Sequence, residues 1–179
     1  MKKTGIIGMA YVGLLLGGCA TRALNFTPQQ VAPVASKVDA QLVSTNVTLA
    51  SKSEALGKVE VAGFENELQS LWKTSLEDAL GRSAVFRDQS PRRVNLSVKV
   101  MKLDVPSAGV VMRTTTIARY QLIDRETGRV VYSTDVETDG RVTGSEAFLG
   151  VTRARESVNR SVQQNISMFI ERLSSAKLD

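Results

Sequence analysis

Three runs in the second half of the chain alternate apolar and polar residues almost without a break, and they leave room for little but a meander of strands. Val94, Leu96, Val98 and Val100 are separated by Asn95, Ser97 and Lys99. Val110, Met112, Ala118, Tyr120 and Leu122 share one side of the next run, with Arg113, Thr115, Arg119 and Gln121 on the other. Val130, Tyr132, Thr134 and Val136 form the third. A period of two sends successive side chains to opposite faces, so each run has one face to bury and one to wet. The links are short. Pro106, Ser107 and Gly109 mark one turn, and Asp124-Arg125-Glu126-Thr127-Gly128 marks a hairpin in which Gly128 is free to take a positive φ. Short links join neighbouring strands antiparallel.

The rest of the chain supplies one more strand and two helices. Val43, Thr45, Val47 and Leu49 alternate with polar residues and predict a first strand. Phe64, Leu68, Leu71, Trp72, Leu76, Ala79 and Leu80 recur at steps of three and four, the apolar face of a helix, with Gly81 placed to end it. Residues 83–86 read as a short strand or a turn, and Pro91 breaks the chain. After Gly140 and Gly144, with Ser145 and Glu146 placed to cap it, a last helix carries Val151, Ala154, Val158, Val162, Ile166, Phe169, Ile170 and Leu173. The order is β-α-β-β-β-α. The expected class is α+β in two layers, an antiparallel sheet with both helices packed on one face. The other sheet face is mostly polar and can stay wet.

The N-terminus reads as an address. Lys2 and Lys3 precede an apolar run from Ile6 to Leu16, too short for the roughly 20 residues of a spanning helix and suited to a secretory signal peptide. The run ends Leu16-Gly17-Gly18-Cys19, which resembles the lipobox of bacterial lipoproteins. That resemblance implies a signal peptide over 1–18, and acyl chains (a diacylglyceryl group and an amide-linked chain such as palmitate) on Cys19. Ala20, where lipoproteins held at the inner membrane carry Asp, implies the outer membrane, periplasmic face. Cleavage would also remove two of the five net positive charges. Residues 19–40 lack periodicity and contain Pro28 and Pro33. They are either a tether that lets the domain stand off the membrane or a strap in which Leu24, Phe26 and Val31 pack along it. A single domain over 41–176 follows.

Chemistry is sparse. The chain has no histidine and one cysteine, which removes the commonest general base and metal ligand, any intrachain disulfide and any cysteine-based zinc site. No phosphate-cradling glycine motif occurs. Asp135, Glu137 and Asp139 share one strand face, but a flat strand spreads them about 6–7 Å apart. A solvated face paired across to Arg113 or Arg119 accounts for them better than a metal site or an acid/base pair does. Lys99, Arg113 and Arg119 on the wet sheet face could hold an anionic lipid or glycan. Export and the 5% aromatic content argue against nucleic acid.

Val94-Asn95-Leu96-Ser97-Val98, Arg119-Tyr120-Gln121-Leu122-Ile123-Asp124 and the tail from Val158 to Leu173, behind a lipobox and leader, resemble the YajG-like and the ABC-type transport auxiliary (PqiC-like) lipoproteins. The lipopolysaccharide-assembly lipoprotein LptE shares the general layout. The resemblance implies a non-enzymatic accessory or docking subunit of an envelope transport or assembly system, without a cofactor or metal, and with an envelope protein as partner. The alternative is a binding module for an anionic envelope lipid or glycan such as lipopolysaccharide.

Overall fold

The computed structural model describes residues 23–59 and 65–179; Cys19, the segment before it and Phe64 lie outside the described residues. The elements follow the expected order: β1 (Gln41–Leu49), α1 (Glu65–Ser83), β2 (Arg93–Asp104), β3 (Met112–Asp124), β4 (Val130–Val142) and α2 (Gly150–Ser174). They build an open four-stranded sheet in the order β1-β2-β3-β4. Both helices lie on one face. Leu68, Trp72 and Leu76 of α1 and Val162, Ile166 and Phe169 of α2 join one core with Leu96, Val98, Tyr120 and Leu122.

The sheet is mixed where an antiparallel one was expected. β2, β3 and β4 form the antiparallel meander, but β1 pairs parallel with β2, because α1 carries the chain back across the sheet before β2 begins. Val43 points outward despite its place in the apolar alternation. A bulge between Leu42 and Ser44 leaves it without a register partner, so that Leu42 faces Val94 and Thr45 faces Leu96.

The hairpin follows its sequence. Gly128 takes φ +70°, and the Asp124 carboxylate accepts the Glu126 and Thr127 amides, each at 2.9 Å. Two helix ends differ from expectation. α1 runs through Gly81 to Ser83, and the left-handed residue is Ala84 at φ 49°, whose amide bonds back to the Leu80 carbonyl at 3.1 Å. Ser145 does not cap α2. The N-cap is Leu149, without a side-chain bond, because the intervening residues form their own turn, in which Glu146 Oε2 accepts the Thr143 amide at 2.9 Å.

The leader takes the strap course. Phe26 is fully buried and meets Trp72 edge-on, with ring centroids 6.2 Å apart. The Asn25 amide donates to Asn159 Oδ1 at 2.8 Å, and Gln163 Nε2 donates to the Asn25 carbonyl at 2.8 Å. Arg82 holds the Pro28 carbonyl at 2.8 Å, and the Val34 amide reaches the Ser83 carbonyl at 2.9 Å. Val38 closes the strap with a bridge to Phe86.

Between α2 and the sheet runs a buried polar seam. Ser157, Ser161 and Asn165, four residues apart, share one helix face. Ser157 pairs with Thr114 at 2.7 Å, and Ser161 donates to Thr116 Oγ1 at 2.7 Å. Asn165 accepts the Tyr120 hydroxyl at 2.8 Å while donating to the Val136 carbonyl at 2.9 Å. Burial pushes the Tyr120 phenol far up, so it stays a donor, and its ring stacks on Phe169 at 4.0 Å. Asn165→Leu would strand that hydroxyl and the Val136 carbonyl. The expected loss is about 3 kcal/mol, with an unchanged m value, read by urea denaturation.

Candidate functional site

The sheet face away from the helices carries the charged residues. Lys99 and Arg119 are register partners on β2 and β3, and Arg119 faces Asp135 on β4. Arg119 grips Asp135 with two bonds, at 2.7 and 2.8 Å, and its hydrogen bond holds the Asp135 carboxyl below the usual range. Lys99 pairs with Glu54, and Arg113 with Asp139 at 3.7 Å. The three cations therefore share a face, each opposite a carboxylate. Asp135 and Asp139 are taken up by these arginines and by the Thr115 hydroxyl, while Glu137 lies opposite Ile117. Among the described residues no group of three acidic or thiol side chains converges to hold a metal ion. No helix there is long and apolar enough to cross a membrane.

The two sheet edges are treated differently. An edge strand presents unpaired N–H and C=O groups that must be covered or blunted. At β4, side chains of α2 do this. The outward carbonyls of Asp135 and Arg141 accept bonds from Arg172 and Arg160, at 2.7 and 2.8 Å. Sequence reading missed this set, because Arg160 and Arg172 look like ordinary helix-surface charges: twelve residues is about 120° round a helix, so no shared-face spacing marks them. Among the described residues β1 has no such cover. The hydrogen bonds found for it among the described residues run to β2 and to Arg92 just before it, and beyond it opens a groove of about 410 Å³ where Leu42, Val43, Leu80 and Phe86 stand beside Glu77 and Arg87.

Arg160 also ties down the turn before α2, reaching Glu146 Oε1 at 2.8 Å. The Thr143 amide, then Arg160, hold the Glu146 carboxyl down at about 2 from an ordinary 4.5. A depressed carboxyl stabilises the fold above its unfolded value and loses that contribution as pH falls toward its folded one. Amide protection factors over residues 143–147 should therefore decline as pH drops from about 4.5 to 2. In Glu146→Gln they should be low throughout.

No family model and no curated protein matches the sequence. Solved structures do share its fold. Protein XCC0632 from Xanthomonas campestris, a DUF330 protein, superposes with a TM-score of 0.52 at 14% identity, over 79% of this chain and 91% of that one. The hypothetical protein CT253 from Chlamydia trachomatis gives 0.50 at 9% identity, over 75% and 95%. A minor lipoprotein from Acinetobacter baumannii matches more loosely, at 0.41 and 11% identity, over 79% and 96%. At these identities the likeness is one of fold: an open sheet with two helices on one face, built by bacterial proteins.

Proposed function

We propose that the protein is a lipid-anchored, periplasm-facing accessory lipoprotein of the YajG-like and PqiC-like kind. It holds a protein of an envelope transport or assembly system at the outer membrane and performs no covalent chemistry. The observation that carries this reading is the asymmetry of the sheet edges: α2 side chains reach the edge of β4, while among the described residues none covers β1, which borders a groove of mixed polarity. A bare edge offers its backbone groups to a partner strand, and the groove receives that strand's alternate side chains. The lipobox at Cys19 supplies the anchor, and Ala20 directs sorting to the outer membrane. An anionic lipid or glycan at Lys99, Arg113 and Arg119 has less in its favour, since each cation already faces a carboxylate.

Val43→Lys tests the edge, because Val43 is exposed and lies on β1 outside the core. The variant should fold and fractionate like the parent yet recover about tenfold less crosslinked partner, equivalent to ~1.4 kcal/mol. Equal recovery would remove β1 as the docking edge. Cys19→Ala tests the anchor separately and should leave uncleaved or unlipidated protein outside the outer-membrane fraction.

A further inference from the structure

One end of the molecule is capped by an exposed apolar tip built from two loops. Phe148 is 92% exposed and Val110 78%, and Val111, Leu149 and Val151 are exposed beside them. The loops are pinned together. Arg153 bonds the Ala147 and Phe148 carbonyls of one loop and the Gly109 carbonyl of the other, at 2.9, 2.6 and 3.0 Å. A Cβ built on Gly144 would lie 3.5 Å from Val110. Such a patch, held rigid and left in water, marks an interaction surface.

The strap indicates what this end faces. From Asn25, against Asn159 and Gln163, it descends α2 to the groove where Gln30, Val31 and Val34 meet Ser167, Ile170 and Ser174. Traced backward, the chain climbs toward the N-terminal end of α2, and the Ala23 carbonyl still accepts from Asn159 at 3.4 Å. Asn159 is nine residues from Gly150, about 14 Å along the helix. Cys19 is four residues before Ala23, a reach of about 14 Å at full extension. The anchor position and the tip can therefore meet at one end of the domain. Just below the tip, Arg141 is exposed on the outer sheet face and suited to lipid phosphates, whereas its register partner Arg113 faces Asp139.

We propose that the tip formed by Val110, Val111, Phe148, Leu149 and Val151 is a second membrane contact, entering the leaflet that holds the Cys19 acyl chains and fixing the domain upright with its hairpin end outward. This rests on the lipid-anchor reading. An apolar wedge flanked by a cation enters the headgroup boundary in the manner of interfacial segments, and a lipid anchor plus a second signal gives a fixed rather than swivelling attachment.

The test uses the full chain, matured in cells and reconstituted in vesicles of phosphatidylethanolamine and phosphatidylglycerol. Because lipid consumes Cys19, Phe148→Cys offers one thiol for an environment-sensitive fluorophore, and Glu126→Cys in the hairpin is the control. The label at 148 should shift to the blue, brighten several-fold and be quenched by nitroxides on the acyl chains, while the label at 126 should not respond. The mass of the N-terminal fragment is read from the same sample. A lipidated chain whose position 148 is as wet as position 126 would overturn the membrane contact and leave the anchor standing, and crosslinking of that wet position to a protein would assign the tip to a protein partner. An unmodified Cys19 would overturn both.

Discussion

Gly140→Ala should cost about 3 kcal/mol or more, the largest penalty expected from a methyl added at any described glycine. A Cβ at this β4 position would lie 1.9 Å from the Ser157 carbonyl oxygen and 2.5 Å from the Ser161 nitrogen. Both atoms are helix backbone, so no rotamer change relieves the clash, and α2 must lift off the sheet. Lifting it would break the hydroxyl pairs of Ser157 and Ser161 and loosen the Asn165–Tyr120 bond together. Gly81→Ala gives the opposite sign. That glycine lies within α1, and an added Cβ meets nothing within 4 Å, so the helix should gain about 0.5–1 kcal/mol. Urea denaturation of the two variants beside the parent checks both. Equal stability of Gly140→Ala and the parent would contradict the close approach of α2 to β4.

Phe26→Ala should cost about 3–5 kcal/mol, an unusual penalty for a residue so near the N-terminus. Phe26 is fully buried against Trp72, so its removal opens a cavity under the strap. If Cys19 carries the proposed lipid anchor, the effect also reaches membrane geometry. With the strap attached, the domain is held close to Cys19; once released, residues 19–40 become a tether able to extend roughly 70 Å. Limited proteolysis should cut the variant between residues 27 and 37 while leaving 41–176 intact, and should spare the parent. Equal protection of both would mean that the remaining strap bonds hold it without Phe26.

The sheet and helices were legible because their periods are strong: Val94 to Val100 and Val158 to Leu173 admit one reading each. The hairpin was legible because Asp124 and Gly128 have no better use. The parallel sense of β1 was not, since alternation fixes which face a strand buries and says nothing of its direction. Val43 misled because a bulge is one extra residue with no composition of its own. Gly81 and Ser145 misled because glycine and serine near a helix end fit several geometries, and tertiary contacts chose Ala84 and Leu149. The seam of Ser157, Ser161 and Asn165 hid among polar residues, although its four-residue spacing beside Val158, Val162 and Ile166 is a helix-face signal. The outer-face cations Lys99, Arg113 and Arg119 were found by alternation alone. Their carboxylate partners on β4 followed from the same pattern, whereas Glu54, in the loop after β1, did not.

Docking of an envelope protein along β1, as proposed above, is open to direct measurement. The most direct measurement is crosslinking in intact cells, followed by purification of the lipidated protein and mass spectrometry of what comes with it. The expected result is one envelope transport or assembly protein in stoichiometric amount, with crosslinked peptides mapping to β1 and its flanking groove. Recovery of lipid or glycan alone, or of no reproducible protein, would contradict it.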